Sequence, residues 1–155
     1  MKLNYLVIPL FTIAVAAIGS FFTNQGLKGW YQSIRLPSWT PPGSTIGLVW
    51  TILFILATVA ALIVWNKLPH DQSFWLVISI FVANGILNYL WSYLFFASHQ
   101  LKLAIFEAGL LGLTILALVI LIWPKNKLSA ALLIPYFIWV SFATYLTYSV
   151  YRLNR

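Results

Sequence analysis

The chain has no cysteine and almost no acid: of 155 residues, only Asp71 and Glu107 carry a carboxylate side chain. The first absence excludes disulfides, thiolate metal sites and a cysteine nucleophile. The second excludes chemistry run by a pair of carboxylates. Charge of either sign is scarce, at 7% of residues, against roughly 25% in soluble domains. So few charged side chains cannot cover a water-facing surface. There is no glycine-rich phosphate loop and no Ser/His/Asp set. His70 and His99 fall in connections on opposite sides of the spans, so they cannot share a metal. Hydrolysis and phosphoryl transfer lack their residues, and proton-driven pumping would bury more ionisable groups. No metal and no required cofactor are expected.

Apolar residues fill the space that charge leaves. They make up 62% of the chain. A transmembrane helix needs about 20 mostly apolar residues. Five segments qualify, at roughly 5–22, 46–65, 74–97, 103–123 and 128–151. Each is apolar all round, as lipid-facing or fully buried helices are, and none shows the short alternating strands of a barrel. The expectation is an all-α integral membrane bundle of five helices, one domain over 1–155, multi-pass in the cell membrane. The first span lacks a small-residue cleavage site, so it reads as a retained helix. Short connections predict that sequential helices are antiparallel neighbours.

The net charge of +7 comes from dispersed residues: Lys2, Lys28, Arg35, Lys67, Lys102, Lys125, Lys127, Arg152 and Arg155. Nearly all lie at span ends. That pattern fits interfacial anchoring and contact with the lipid bilayer rather than nucleic acid. Let side B be the face with the loop between spans one and two, and side A the other. Side B carries Lys28, Arg35, Lys102, Arg152 and Arg155; side A carries the remaining four. The tally leans only slightly towards a cytoplasmic side B.

The one long non-spanning segment, Trp30 to Gly43, holds two of the eight tryptophans and three of the seven prolines. Rigid rings in place of Gly and Ser suggest a stiff lid. Beneath it, polar and aromatic residues share helix faces. Asn84, Asn88 and Trp91 fall at i, i+4 and i+7; Tyr136, Trp139 and Ala143, at i, i+3 and i+7, likewise share one face of the fifth span; Trp50 heads a stripe in the second. Indoles supply stacking area and one N–H each, amides orient a polar edge, and the alanine leaves room. A flat, largely apolar ligand suits that lining. The alternative is that the indoles fill the bundle and the amides bond across helices.

Other residues read more simply. Trp65, Trp75 and Trp123 sit at span ends, where aromatic belts form. Glu107, in a span near Lys102, either pairs with it or snorkels, or else forms a polar wall of the pocket. Ser79 with Ala83, and Gly109 with Gly112, are small-residue pairs that serve either bundle packing or a dimer seam. Pro135 is expected to bend the fifth span near its side A end, with neighbours satisfying the freed carbonyl. Leu146, Tyr148 and Arg152 fit a weak sterol-contact pattern, for which an interfacial anchor is the alternative.

Four motifs in order carry a resemblance that covers nearly the whole chain. They are Pro37-Ser38-Trp39-Thr40-Pro41-Pro42, Val49-Trp50-Thr51, Leu87-Asn88-Tyr89-Leu90-Trp91-Ser92, and Pro135-Tyr136-Phe137-Ile138-Trp139 with Phe142-Ala143-Thr144. The chain resembles the translocator protein family, also called tryptophan-rich sensory proteins or peripheral benzodiazepine receptors, and its bacterial members above all. The resemblance implies a five-helix bundle, commonly a homodimer, that binds porphyrins such as protoporphyrin IX. It also implies binding of synthetic isoquinoline-carboxamide and benzodiazepine-type ligands. By motif, the family pocket carries onto Trp50, Asn88, Trp91, Trp139 and Ala143, with Tyr31, Pro41 and Pro42 from the loop; Trp39, Asn84 and Tyr136 join them on the reading of faces above. Bacterial members imply light-dependent porphyrin breakdown, with Trp50 and Trp139 as the residues in contact with the ring. Two alternatives stand beside it: passive carriage of tetrapyrroles or lipids, and sensing without turnover. Tyr89 stands where animal members have tryptophan, and Glu107 replaces the usual aspartate.

Overall fold

A computed structural model describes residues 2–155. Among them, five helices are long and apolar enough to cross a membrane, and there is no strand. The long helices are α1 (Asn4–Leu27), α3 (Gly43–Lys67), α4 (Gln72–Ser92), α5 (Leu101–Ile122) and α6 (Lys127–Leu153). A four-residue helix, α2 (Trp30–Ser33), opens the loop. The protein is therefore a multi-pass membrane protein, with spans longer than the hydropathic runs alone suggested. The extra turns come from polar ends. Asp71 and Asn126 cap α4 and α6 by accepting from the backbone N–H groups of Phe74 and Ser129, each at 2.9 Å. The last turns of α3 and α6 carry Lys67 and Arg152, which complement the helix dipole.

The helices close a ring in the order α1, α4, α5, α6, α3. This corrects the expectation that every sequential pair packs side by side. α3 and α4 are joined by a short connection, yet they barely touch along their lengths, because each packs on opposite flanks of α1. Their junction on side A is held instead by rings: His70 stacks on Phe74 at 4.1 Å, and Trp65 meets Phe74 and Trp75 edge-on. α6 continues without a break through Pro135, as α1 does through Pro9.

The side A half is solid. Val64, Phe74, Val77, Ile115, Leu118, Ile122, Ala130 and Leu133 form its centre, almost wholly buried. Ser129 donates to the Ala60 carbonyl at 2.9 Å and ties α6 to α3 there. Nearer mid-depth, Thr58 donates to Thr12 at 2.9 Å and pins α3 to α1.

The side B half is organised around a π-helical turn. α4 runs into it at Tyr93–Ala97, with Ser98 N–H reaching back five residues to the Tyr93 carbonyl at 2.8 Å. The wider turn swings Phe95 and Phe96 inwards, where both are buried. α1 approaches it so closely that a Cβ on Gly26 would collide with the Phe96 carbonyl oxygen. His99 then takes a left-handed φ of 56° to start the connection to α5, and its ring stacks on Trp30 at 4.3 Å. Trp30 also meets Phe95 edge-on, so α2 is anchored to the end of α4.

Candidate functional site

Where the side A half is filled with aliphatic side chains, the side B half encloses a cavity of about 770 Å3. That size lies within the roughly 300–1,000 Å3 of sites for small organic ligands. Trp50 of α3, Asn88 and Trp91 of α4, and Trp139 and Ala143 of α6 all line it, on the faces that their spacing assigned. Tyr31, Leu36, Pro37, Thr40 and Pro41 close it from above. The loop is stiffened by a turn in which the Pro37 carbonyl accepts from both the backbone N–H and the hydroxyl of Thr40, at 3.0 and 2.7 Å. Burial under the loop pushes the Tyr31 hydroxyl pKa above the ordinary tyrosine value.

The walls are rich in aromatic rings. Trp91 stacks on Phe95 at 4.9 Å, and Trp139 lies 5.2 Å from Phe142. The indole N–H groups of Trp91 and Trp139 are buried and have no acceptor among the described residues. A buried donor without a partner is costly, and both N–H groups lie inside the walls rather than open to the cavity, so the polar edge that the lining offers is the Asn88 amide.

Four residues expected in the lining lie elsewhere. Asn84 and Tyr136 sit below the cavity in a bonded chain between helices. Asn88 Nδ2 donates to Tyr136 Oη at 2.9 Å, Tyr136 Oη donates to Asn84 Oδ1 at 3.1 Å, and Asn84 Nδ2 donates to Thr114 Oγ1 at 2.9 Å. Helical spacing put them on the inward face correctly, but that face meets α5 at their depth and the cavity only one turn higher. Their role is to orient Asn88, whose carbonyl and second N–H remain for the cavity. Tyr136 also presents its ring edge-on to Trp50 at 5.7 Å. Trp39 turns outwards and stacks on Tyr145 at 5.5 Å. Pro42 is exposed as the N-cap of α3.

Glu107 also departs from expectation. It makes no pair with Lys102: five residues along a helix is about 140° around it, and Lys102 is exposed while Glu107 is 7% exposed. Both carboxyl oxygens are buried without a hydrogen-bond partner among the described residues, and the side chain is not part of the cavity wall. The sterol-contact pattern is split in two. Leu146 faces the cavity, whereas Tyr148 and Arg152 line a separate groove outside the bundle.

One wall went unread in the sequence. α1 contributes Gly19, Ser20, Thr23 and Asn24 to the cavity. The signal was there, in three polar residues at i, i+3 and i+4 near the end of an otherwise apolar span. Across from them stand Gly47 and Thr51 of α3. Ser20, Asn24, Gly47 and Thr51 are exposed as well as lining, so the cavity reaches the surface between α1 and α3.

Residues 7–152 match the TspO/MBR family. The chain is 40% identical over 141 residues to Tryptophan-rich protein TspO of Bacillus cereus, covering 88% of this chain and 90% of that one. It is 33% identical over 148 residues to Tryptophan-rich protein TspO of Archaeoglobus fulgidus, covering 94% and 93%. Against the Translocator protein of Homo sapiens the identity is 30% over 140 residues, covering 89% and 82%. This chain, with its five spans and its indole-walled cavity, belongs to the TspO/MBR family.

Proposed function

We propose that the cavity binds a tetrapyrrole, protoporphyrin IX or a close relative, and promotes its light-dependent oxidative breakdown. The observation that carries this reading is the set of three indoles, Trp50, Trp91 and Trp139, on the walls of one 770 Å3 cavity. Flat rings stack on a macrocycle, and the Asn88 amide on the same wall suits its polar edge. Isoquinoline-carboxamide and benzodiazepine-type compounds, also flat and carbonyl-bearing, fit the same lining. Light excites the bound porphyrin and dioxygen is the oxidant. Its two atoms end on the two carbons of one cleaved methine bond as carbonyls, so no separate reductant is consumed. Trp50 and Trp139 hold the ring while this occurs. Trp50→Phe and Trp139→Phe are each expected to slow the loss of porphyrin absorbance under illumination. Unchanged breakdown in both variants would remove the indoles from the mechanism.

A second reading, passive carriage without turnover, has its own observation in the gap between α1 and α3. A ligand dissolved in the bilayer reaches the cavity there without crossing the loop. The human relative is named a translocator protein. Carriage predicts porphyrin flux into sealed vesicles kept in the dark; no dark flux above protein-free vesicles refutes it.

A further inference from the structure

Outside the bundle, on the far side of the loop from the cavity, lies a groove of about 500 Å3 between Leu36–Trp39 and the last turns of α6. Only Leu36 and Pro37 are shared with the cavity wall. Its lower wall is aromatic, formed by Trp39 stacked on Tyr145. Its upper end is cationic. Arg152 Nη1 donates to Tyr148 Oη at 3.1 Å, and its guanidinium sits 5.9 Å from the Tyr148 ring centre. Ser38 and Ser149 add hydroxyls between the two. The seven steps from Tyr145 to Arg152 rise about 10 Å along the helix, from the depth of acyl chains towards that of headgroups.

Among the described residues, no side-chain carboxylate neutralises this end. Asp71 caps α4 on side A, and Glu107 is enclosed with no partner. No Asp or Glu side chain therefore faces Lys28, Arg35, Lys102, Arg152 or Arg155. The roof concentrates this charge: Asn154 accepts from the Arg35 N–H and donates to the Arg35 carbonyl, both at 2.8 Å. The backbone of the loop arginine is thereby held at the end of α6 that carries Arg152.

We propose that this groove is a binding site for an anionic glycerophospholipid. The phosphate lies at Arg152, and an acyl chain lies against Trp39 and Tyr145. Charge complementarity selects the headgroup, since a basic pocket at the interface attracts anionic lipid. The aromatic wall selects a chain-bearing molecule over free phosphate. The site is independent of what the cavity binds. Because Leu36 and Pro37 belong to both walls, lipid in the groove also buttresses the lid.

The test is native mass spectrometry of the purified full chain with equal amounts of phosphatidylglycerol and phosphatidylcholine. The wild type is expected to retain phosphatidylglycerol about fivefold better. Arg152→Gln, at an exposed position, is expected to bring that ratio close to one, whereas Lys67→Gln on side A leaves it unchanged. Three results would each overturn the proposal. They are equal retention of the two lipids by the wild type, an unaltered ratio in Arg152→Gln, and displacement of phosphatidylglycerol by an equal amount of a sterol.

Discussion

Tyr136 shows how one hydroxyl can hold a binding wall in place. It is 2% exposed, and its oxygen is both acceptor from Asn88 and donor to Asn84. Without it, two buried amides lose a partner. An interhelical hydrogen bond in a membrane contributes about 0.6 kcal/mol on average, so losing two costs roughly 1–2 kcal/mol. Tyr136→Phe keeps the ring against Trp50 and removes only the oxygen. Its melting temperature in detergent is expected to fall by a few degrees. An unchanged melting temperature would mean that the network holds nothing. Glycine matters at the residue scale as well: Gly26 admits the π turn, while Gly109 faces open space. The two cannot be told apart by residue type.

At the scale of the element, α4 carries the site at one end and its cap at the other. Asp71 accepts from the Ser73 hydroxyl at 2.5 Å and from the Phe74 N–H, and Ser73 in turn takes a bond from Lys125. The Ser73 hydroxyl, followed by the Phe74 N–H, holds the Asp71 pKa below its ordinary value. A pKa lowered in the folded state stabilises the fold above the unfolded value, and that gain disappears as pH falls through the folded one. Thermal stability is expected to drop on acidification below about pH 4. Asp71→Asn still caps a helix but cannot titrate, so its profile should be flatter there. Identical acid profiles for the two proteins would rule out the cap as the source. The π turn at the other end has no comparable signature in the residues, since Tyr93–Ala97 is as apolar as any helical stretch. It forms because α1 meets it at Gly26 and α2 packs on it through Trp30.

At the scale of the whole molecule, the outer face of α4 remains without a partner in the bundle. Ser79 and Ala83 are both exposed there, one turn apart, and small residues allow close helix approach. We propose that two copies pair along this face. The chain has no cysteine, so Ala83→Cys introduces a single thiol. Oxidation in native membranes is expected to yield a disulfide-linked dimer, and Cys at the lipid-facing Leu113 of α5 should not. Cross-linking that is equal at both positions, or absent at Ala83→Cys, refutes the pairing.

Much of this protein follows from the sequence by itself, because two of its constraints are local. A bilayer demands about 20 apolar residues per span, so five spans were countable. Helical period assigns each residue an angle on its own helix, so Trp50, Asn88, Trp91, Trp139 and Ala143 could be turned inwards together. What those faces meet is not local. It took the ring order of the helices to separate α3 from α4 and to fill side A while leaving side B hollow. The same packing enclosed Asn84 and Tyr136 below the cavity, isolated Glu107 from Lys102, turned Trp39 away from the cavity, and brought α1 in as a wall. Each of these depends on many weak contacts summed over several helices, and no spacing within one helix records that sum.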